Sequence, residues 1–183
     1  MFRSLASARG QLRGMSVWTV GSANTLKVLR LVAPPERREW AAVDWAAVER
    51  QVGLRLPADY KELVGVYGAG CFGEYLHLYQ PCAAWRELDL VHQVEQGLSS
   101  LRFLRDAGAL VPYRVEDPAD LVPFGRAENG DECYWRRTGV EPDEWTVVVG
   151  DARGDRWTEF DGGLAEFVLG VLAASSSIAF NPY

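Results

Sequence analysis

Val48-Glu-Arg-Gln-Val-Gly-Leu-Arg-Leu-Pro-Ala-Asp-Tyr-Lys-Glu-Leu63, followed by Gly68-Ala-Gly-Cys-Phe-Gly-Glu-Tyr-Leu-His-Leu-Tyr79, is the stretch on which the reading of the fold turns. Pro57 pre-sets the backbone angle of a first helical turn. Tyr60, Leu63, Val64 and Tyr67 then recur at i, i+3, i+4 and i+7 before Gly68, so the spacing predicts a helix buried on one face. Gly68-Ala69-Gly70 stops it. The aromatic and branched run from Phe72 to Tyr79 reads as one strand, with Phe72, Glu74, Leu76 and Leu78 on one face and Tyr75, His77 and Tyr79 on the other. Upstream, Asp44 caps a helix over 44–52, with Val43 and Val48 placed as a hydrophobic staple and Gly53 as a left-handed stop.

After Pro81, Val91, Val94, Leu98, Leu101 and Leu104 mark an amphipathic helix over about 83–106, closed by Gly108. From Val111 onward the texture is that of a meander. Leu121 to Arg126 and Glu132 to Arg137 flank the turn dipeptide Asn129-Gly130, Trp145 to Val149 follows, and a turn over 151–154 leads into Arg156 to Phe160. Asp161 is read as the N-cap of a closing helix lined by Leu164, Phe167, Val168, Val171 and Leu172. Near the start, Val17, Val20, Leu26, Val28, Leu29, Leu31 and Val32 are mixed in period and suggest an early strand or hairpin ending at Pro34-Pro35. The expected organisation is a single α+β domain over 36–174, an antiparallel or mixed sheet with helices packed against it. A basic extension over 1–35, partly disordered or an extra strand, precedes it, and a loose tail over 175–183 follows.

A chain of 183 residues and 20.3 kDa suits one domain, and 48% hydrophobic with 24% charged residues excludes wholesale disorder and fibrous classes. No apolar stretch approaches the roughly 20 residues needed to cross a bilayer. The formal charge is −6, yet residues 1–35 hold Arg3, Arg9, Arg13, Lys27 and Arg30 and no acid, so the remainder is more acidic than the total suggests. Such a body repels phosphate backbones and draws basic partners over a Debye length of roughly 8–10 Å. Direct nucleic-acid binding is therefore not expected. Cys71, Cys82 and Cys133 show no CxxC spacing, which argues against a disulfide framework and for a cytoplasmic location. Residues 1–14 faintly resemble a transit peptide, or precede a true start at Met15; a poorly ordered tail is expected through residue 15.

The order helix, Leu-Pro-x-Asp-Tyr helix, glycine turn, strand over 48–79 resembles the opening of the SUKH superfamily, also called the Smi–Knr family. Later segments agree: Leu121-Val-Pro-Phe-Gly125, Asn129-Gly-Asp131 with Trp135, Trp145-Thr-Val-Val148, and a closing helix with Phe167 and Leu172. The resemblance covers about residues 36–174. It implies a SUKH-like α+β domain without catalysis. Bacterial members look like immunity proteins that bind and neutralise a toxin deployed between competing cells, often a nuclease or nucleic-acid deaminase. Fungal relatives look like regulatory binding proteins of cell-wall assembly. An acidic inhibitor would suit a toxin that is basic because it grips phosphates.

His77 and His92 are the only histidines, and the gaps between Cys71, His77 and Cys82 fit no zinc pattern. Neither a Walker-type phosphate loop nor a dinucleotide glycine fingerprint is present, so no metal and no cofactor is expected. Paired carboxylates can act as acid and base, but Glu74, Glu128, Asp131, Glu132, Asp151, Asp155, Glu159 and Asp161 fall mostly in turns and at strand ends, where they satisfy backbone donors. Trp45, Trp85, Trp135, Trp145 and Trp157 read as core residues; Trp135, beside Arg136 and Arg137, doubles as the aromatic most suited to a partner contact. The expected binding face is Glu74, Tyr75, Glu128, Asp131, Glu132, Trp135, Asp151 and Asp155, directed at a protein toxin. Two alternatives stand behind it: a regulatory or scaffolding module with an endogenous partner, and a hydrolase using paired carboxylates.

Overall fold

A computed structural model describes residues 23–36, 42–116, 119–152, 154, 156–175 and 180–182; the expectations for residues 1–15 lie outside them. The first element departs from the sequence reading. Ala23–Leu31 is a helix, α1, where a strand or hairpin was expected; among its described side chains Thr25 and Val28 are buried, as is Val32 just past its end, four residues from Val28. Tyr67 donates a hydrogen bond to the Val32 carbonyl at 2.8 Å, which joins the segment to the core. The apolar neighbours Leu29 and Leu31 had obscured that helical pair in the sequence.

Helix α2, Trp45–Val52, has its expected caps: Asp44 accepts from Ala47 N at 3.1 Å, and Gly53 takes φ 71°. Helix α3 is Ala58–Tyr67, and it contains the joint of the fold. Asp59 Oδ2 accepts from Ala165 N at 2.8 Å and so ties the start of α3 to the start of the last helix. Tyr60, fully buried, meets Trp45 and Trp135 edge-on at 5.7 and 5.0 Å and donates to the Tyr79 carbonyl at 2.6 Å. Asp59 Oδ2 and the Tyr60 hydroxyl thus tie α3 to the last helix and to the Tyr79 segment, while Asp59 Oδ1 is buried without a hydrogen-bond partner among the described residues.

The run 72–79 is a hairpin, not one strand. β1 is Gly70–Phe72, β2 is Leu76–Leu78, and Gly73 and Glu74 between them have φ 61° and 55°. Two successive left-handed residues form a tight primed turn, closed by Tyr75 N on the Phe72 carbonyl at 3.1 Å. Glu74 therefore leaves the face it was expected to share with Phe72. The long helix is also shorter than expected: a single 3-10 turn spans Arg86–Leu88, and α4 runs Leu90–Asp106 because Asp89 accepts from both His92 N and Cys82 N and starts it there.

β3 (Leu121–Ala127), β4 (Glu132–Arg136), β5 (Thr146–Gly150) and β6 (Trp157–Phe160) form the expected meander, and α5 spans Leu164–Ala174. Gly163 is the N-cap of α5; Asp161 is exposed, and the carboxylate at that helix start is Asp59. The expected loose tail contains a strand, β7 (Phe180–Pro182), paired with β1. The seven strands lie in the order β6-β5-β4-β3-β2-β1-β7 with every named pairing antiparallel, so the sheet is not mixed.

Helices cover both faces. Phe124, Trp135 and Val147 join the large core with α1, α2, α3 and α5, whereas Leu121, Tyr134 and Val148 face Leu101 of α4. A Cβ on Gly97 would lie 2.9 Å from the Pro123 ring, so glycine is what lets α4 rest directly on β3. Trp135 and Trp145 are buried and Trp45 and Trp157 half-buried, but Trp85 is 66% exposed and is no core residue.

Candidate functional site

An antiparallel meander stacks its alternate turns on one end of the sheet. Here Leu76 pairs with Ala127, Arg126 with Glu132, and Glu132 with Gly150, which brings the β1–β2, β3–β4 and β5–β6 turns side by side. Glu128 N donates to the Tyr75 carbonyl at 2.8 Å, and Ala152 N donates to Asp131 Oδ1 at 3.3 Å, linking each turn to the next. Glu74, Tyr75, Glu128, Asp131, Glu132 and Asp151 are thereby gathered at this end. Asp155 lies outside the described residues.

The gathered carboxylates are not equivalent. Glu74 stands exposed at its turn, and Glu128, 68% exposed, accepts from His77 Nε2 at 2.7 Å. Asp131 accepts at Oδ2 from Asn129 Nδ2 and is half-buried. Asp151, its side chain only 15% exposed, accepts from Arg156 Nε at 3.3 Å. Glu132 points to the other side of the turn and accepts the Tyr79 hydroxyl. Burial pushes its carboxyl up to about 7, against the pull of the Tyr79 hydrogen bond and of Arg126. The acidic face expected from the sequence is therefore part surface and part internal scaffold, and Glu132 belongs to the scaffold.

Trp135 is corrected outright. It is fully buried, 5.0 Å from the Tyr60 and Phe124 rings, because its place on β4 faces the helical core. Its sequence neighbours stack on other rings: Arg136 lies over Tyr113 at 5.7 Å and Arg137 over Trp145 at 5.9 Å.

Cys71 Sγ lies 3.7 Å from His77 Nε2, the one thiol and imidazole in contact. Burial first, then the nearby Glu128 and Glu74 carboxylates, push that thiol up to about 11, so it is held protonated and unreactive. Among the described residues no three His, Cys, Asp or Glu side chains gather as a metal ion requires, and no helix is long and apolar enough to cross a membrane.

One feature of this end was not foreseen. Beneath the turns, between the sheet and α5, lies an open groove of about 670 Å³ with Cys133 and Val149 on its floor and Phe160, Phe167 and Val171 along its wall. The sequence does carry a trace of it. Of the five apolar positions on the α5 stripe, Leu164, Val168 and Leu172 are buried, whereas Phe167 and Val171 stay half-buried because nothing described covers that flank.

An antiparallel sheet with helices on both faces and three aligned turns at one end defines a single α+β domain. The family model described as SUKH_6, SMI1-KNR4 cell-wall, matches residues 43–168, and the chain belongs to that family. No curated protein and no solved structure matches the chain at a significant level.

Proposed function

We propose that the protein is an immunity-type inhibitor that binds and neutralises a basic, nucleic-acid-targeting toxin through the turn end of its sheet, without catalysing a reaction. The observation that supports this most is the alignment of three turns that carries Glu74 and Glu128 outward on a backbone fixed from turn to turn. Family membership supports the same reading, since its bacterial branch resembles immunity proteins. Carboxylates at such a site accelerate encounter with a cation-rich cleft, and steered association reaches about 10⁸–10⁹ M⁻¹s⁻¹ against about 10⁵–10⁷ without steering. Such a protein works in the cytoplasm, where an incoming toxin meets nucleic acid.

The test is co-expression with a basic nuclease or deaminase toxin domain, the first candidate being the tail of any large secreted protein encoded beside this gene. Wild-type protein restores growth, and the double reversal Glu74→Lys with Glu128→Lys slows association and flattens its salt dependence. Rates that do not change reject the face. A second reading, a regulatory module with an endogenous partner, is favoured by the cell-wall description of the matching family. Recovery of a housekeeping partner on the same face, from cells lacking any toxin gene, would establish it in place of the first.

A further inference from the structure

We infer that the groove beside α5 is the slot for an apolar side chain of a basic protein segment, one that sets a leucine or phenylalanine next to lysine or arginine. The inference rests on the reading of the turn end as the partner surface and names the chemistry of what docks there.

The groove is large enough for two or three side chains, and its lining is mostly apolar, with Cys133, Val149, Phe160, Phe167 and Val171 beside the polar Thr158 and Ser175. Phe160 and Phe167, edge-on at 5.6 Å, brace each other, so the wall is formed before anything binds. Its mouth lies between the β1–β2 turn and the last turn of α5, where Tyr75, Gly170 and Ala174 are exposed. Among the described residues that line it, charge has one sign. Glu74 is the only charged residue among those lining the groove, Glu128 stands next to it on the neighbouring turn, and α5 has no basic residue in its last turn. The carbonyl end of that helix adds partial negative charge. Anionic lipids and fatty acids are repelled from such a mouth, whereas a cation flanking an apolar anchor is attracted.

The probe is an acetylated, amidated tetrapeptide of phenylalanine, leucine and two lysines, compared with its counterpart carrying two glutamates, titrated into the full chain and followed by the methyl resonances of Val149 and Val171. The lysine peptide is expected to shift both and to bind about tenfold more tightly at low salt, the gap closing as salt screens it. A Cβ on Gly170 meets nothing within 4 Å, so Gly170→Phe fills the slot without disturbing the helix and abolishes the shifts, while Gly170→Ala leaves them. Glu74→Lys, at the exposed rim of the slot, removes the preference for lysine but keeps the apolar contact. Equal affinity of the two peptides, or binding that survives Gly170→Phe, overturns the inference. The two readings fail separately. Toxin neutralisation that survives Gly170→Phe sinks the groove and leaves the inhibitor reading standing; peptide binding with no toxin neutralised by the wild type does the reverse.

Discussion

Glu132→Gln isolates the internal half of the acidic cluster. The side chain lies on β4 with the Tyr79 hydroxyl as donor and Arg126 nearby, and burial lifts its carboxyl from 4.5 to about 7. A carboxyl with a raised folded-state value holds its proton more tightly folded than unfolded. Between pH 4.5 and 7 the native state keeps a proton that the unfolded chain has released, so stability falls as pH rises through that window and stays lower above it. A shift of this size amounts to at most about 3 kcal/mol. Glutamine keeps an acceptor for Tyr79 and carries no proton to lose. The variant should match the wild type near pH 4.5 and exceed it at pH 8 by up to about 3 kcal/mol, or roughly 6–12 °C in Tm for a chain of this length. Urea and thermal unfolding across the window, with a carbon-13 titration of the Glu132 carboxyl, measure it directly. Stability curves of the two proteins that run parallel with pH would refute the reasoning, as would a carboxyl titrating at its ordinary value.

Asp59→Ala removes the carboxylate that accepts from Ala165 N and should lower stability by about 1–2 kcal/mol, with Asp59→Asn retaining part of the loss because an acceptor remains; thermal unfolding of the pair decides it. Tyr60→Phe keeps the edge contacts with Trp45 and Trp135 but leaves the buried Tyr79 carbonyl without its donor, at a cost of about 1–3 kcal/mol in chemical denaturation. Trp85→Ala should change stability by no more than about 0.5 kcal/mol, since the ring is largely in solvent.

The elements legible in the sequence are those whose ends carry their own chemistry. Asp44 and Gly53 bounded α2, and Gly130, at φ 90°, announced the β3–β4 hairpin, because caps and left-handed turn positions depend on particular side chains and backbone angles. The misreadings share a different cause. Gly73-Glu74 is a turn only because the surrounding strands hold a glutamate at φ 55°, a conformation disfavoured by about 1–2 kcal/mol for a residue with a Cβ, so local preference pointed to a continuous strand. Trp135 and Glu132 failed as surface residues for a further reason. In a sheet covered on both faces, alternation no longer separates inside from outside: Trp135 turns toward Tyr60 while Tyr134 beside it turns toward α4, and both are buried. The groove was hidden because periodicity reports which side of α5 is apolar, not how much of that side finds a partner.

The hydrogen bonds that remove Glu132 from the surface give the remaining acids their footing. From the Leu-Pro-x-Asp-Tyr run a continuous chain leads to the turn end: Tyr60 donates to the Tyr79 carbonyl, Tyr79 donates to Glu132, and Glu132 pairs across to Gly150 at the start of the third turn. Asp131 and Asp151 extend it laterally through Ala152 N and Arg156. A face anchored in this way has little order left to gain when it meets a partner, and that lowers the entropic cost of association. Glu74 and Glu128 meanwhile project from the turns, so substitutions there can retune which partner is attracted while leaving the buried joint at Asp59 and Tyr60 in place. For a protein proposed to recognise a basic partner, the division places stability in α3 and the core and leaves recognition to the turn tips and the mouth of the groove.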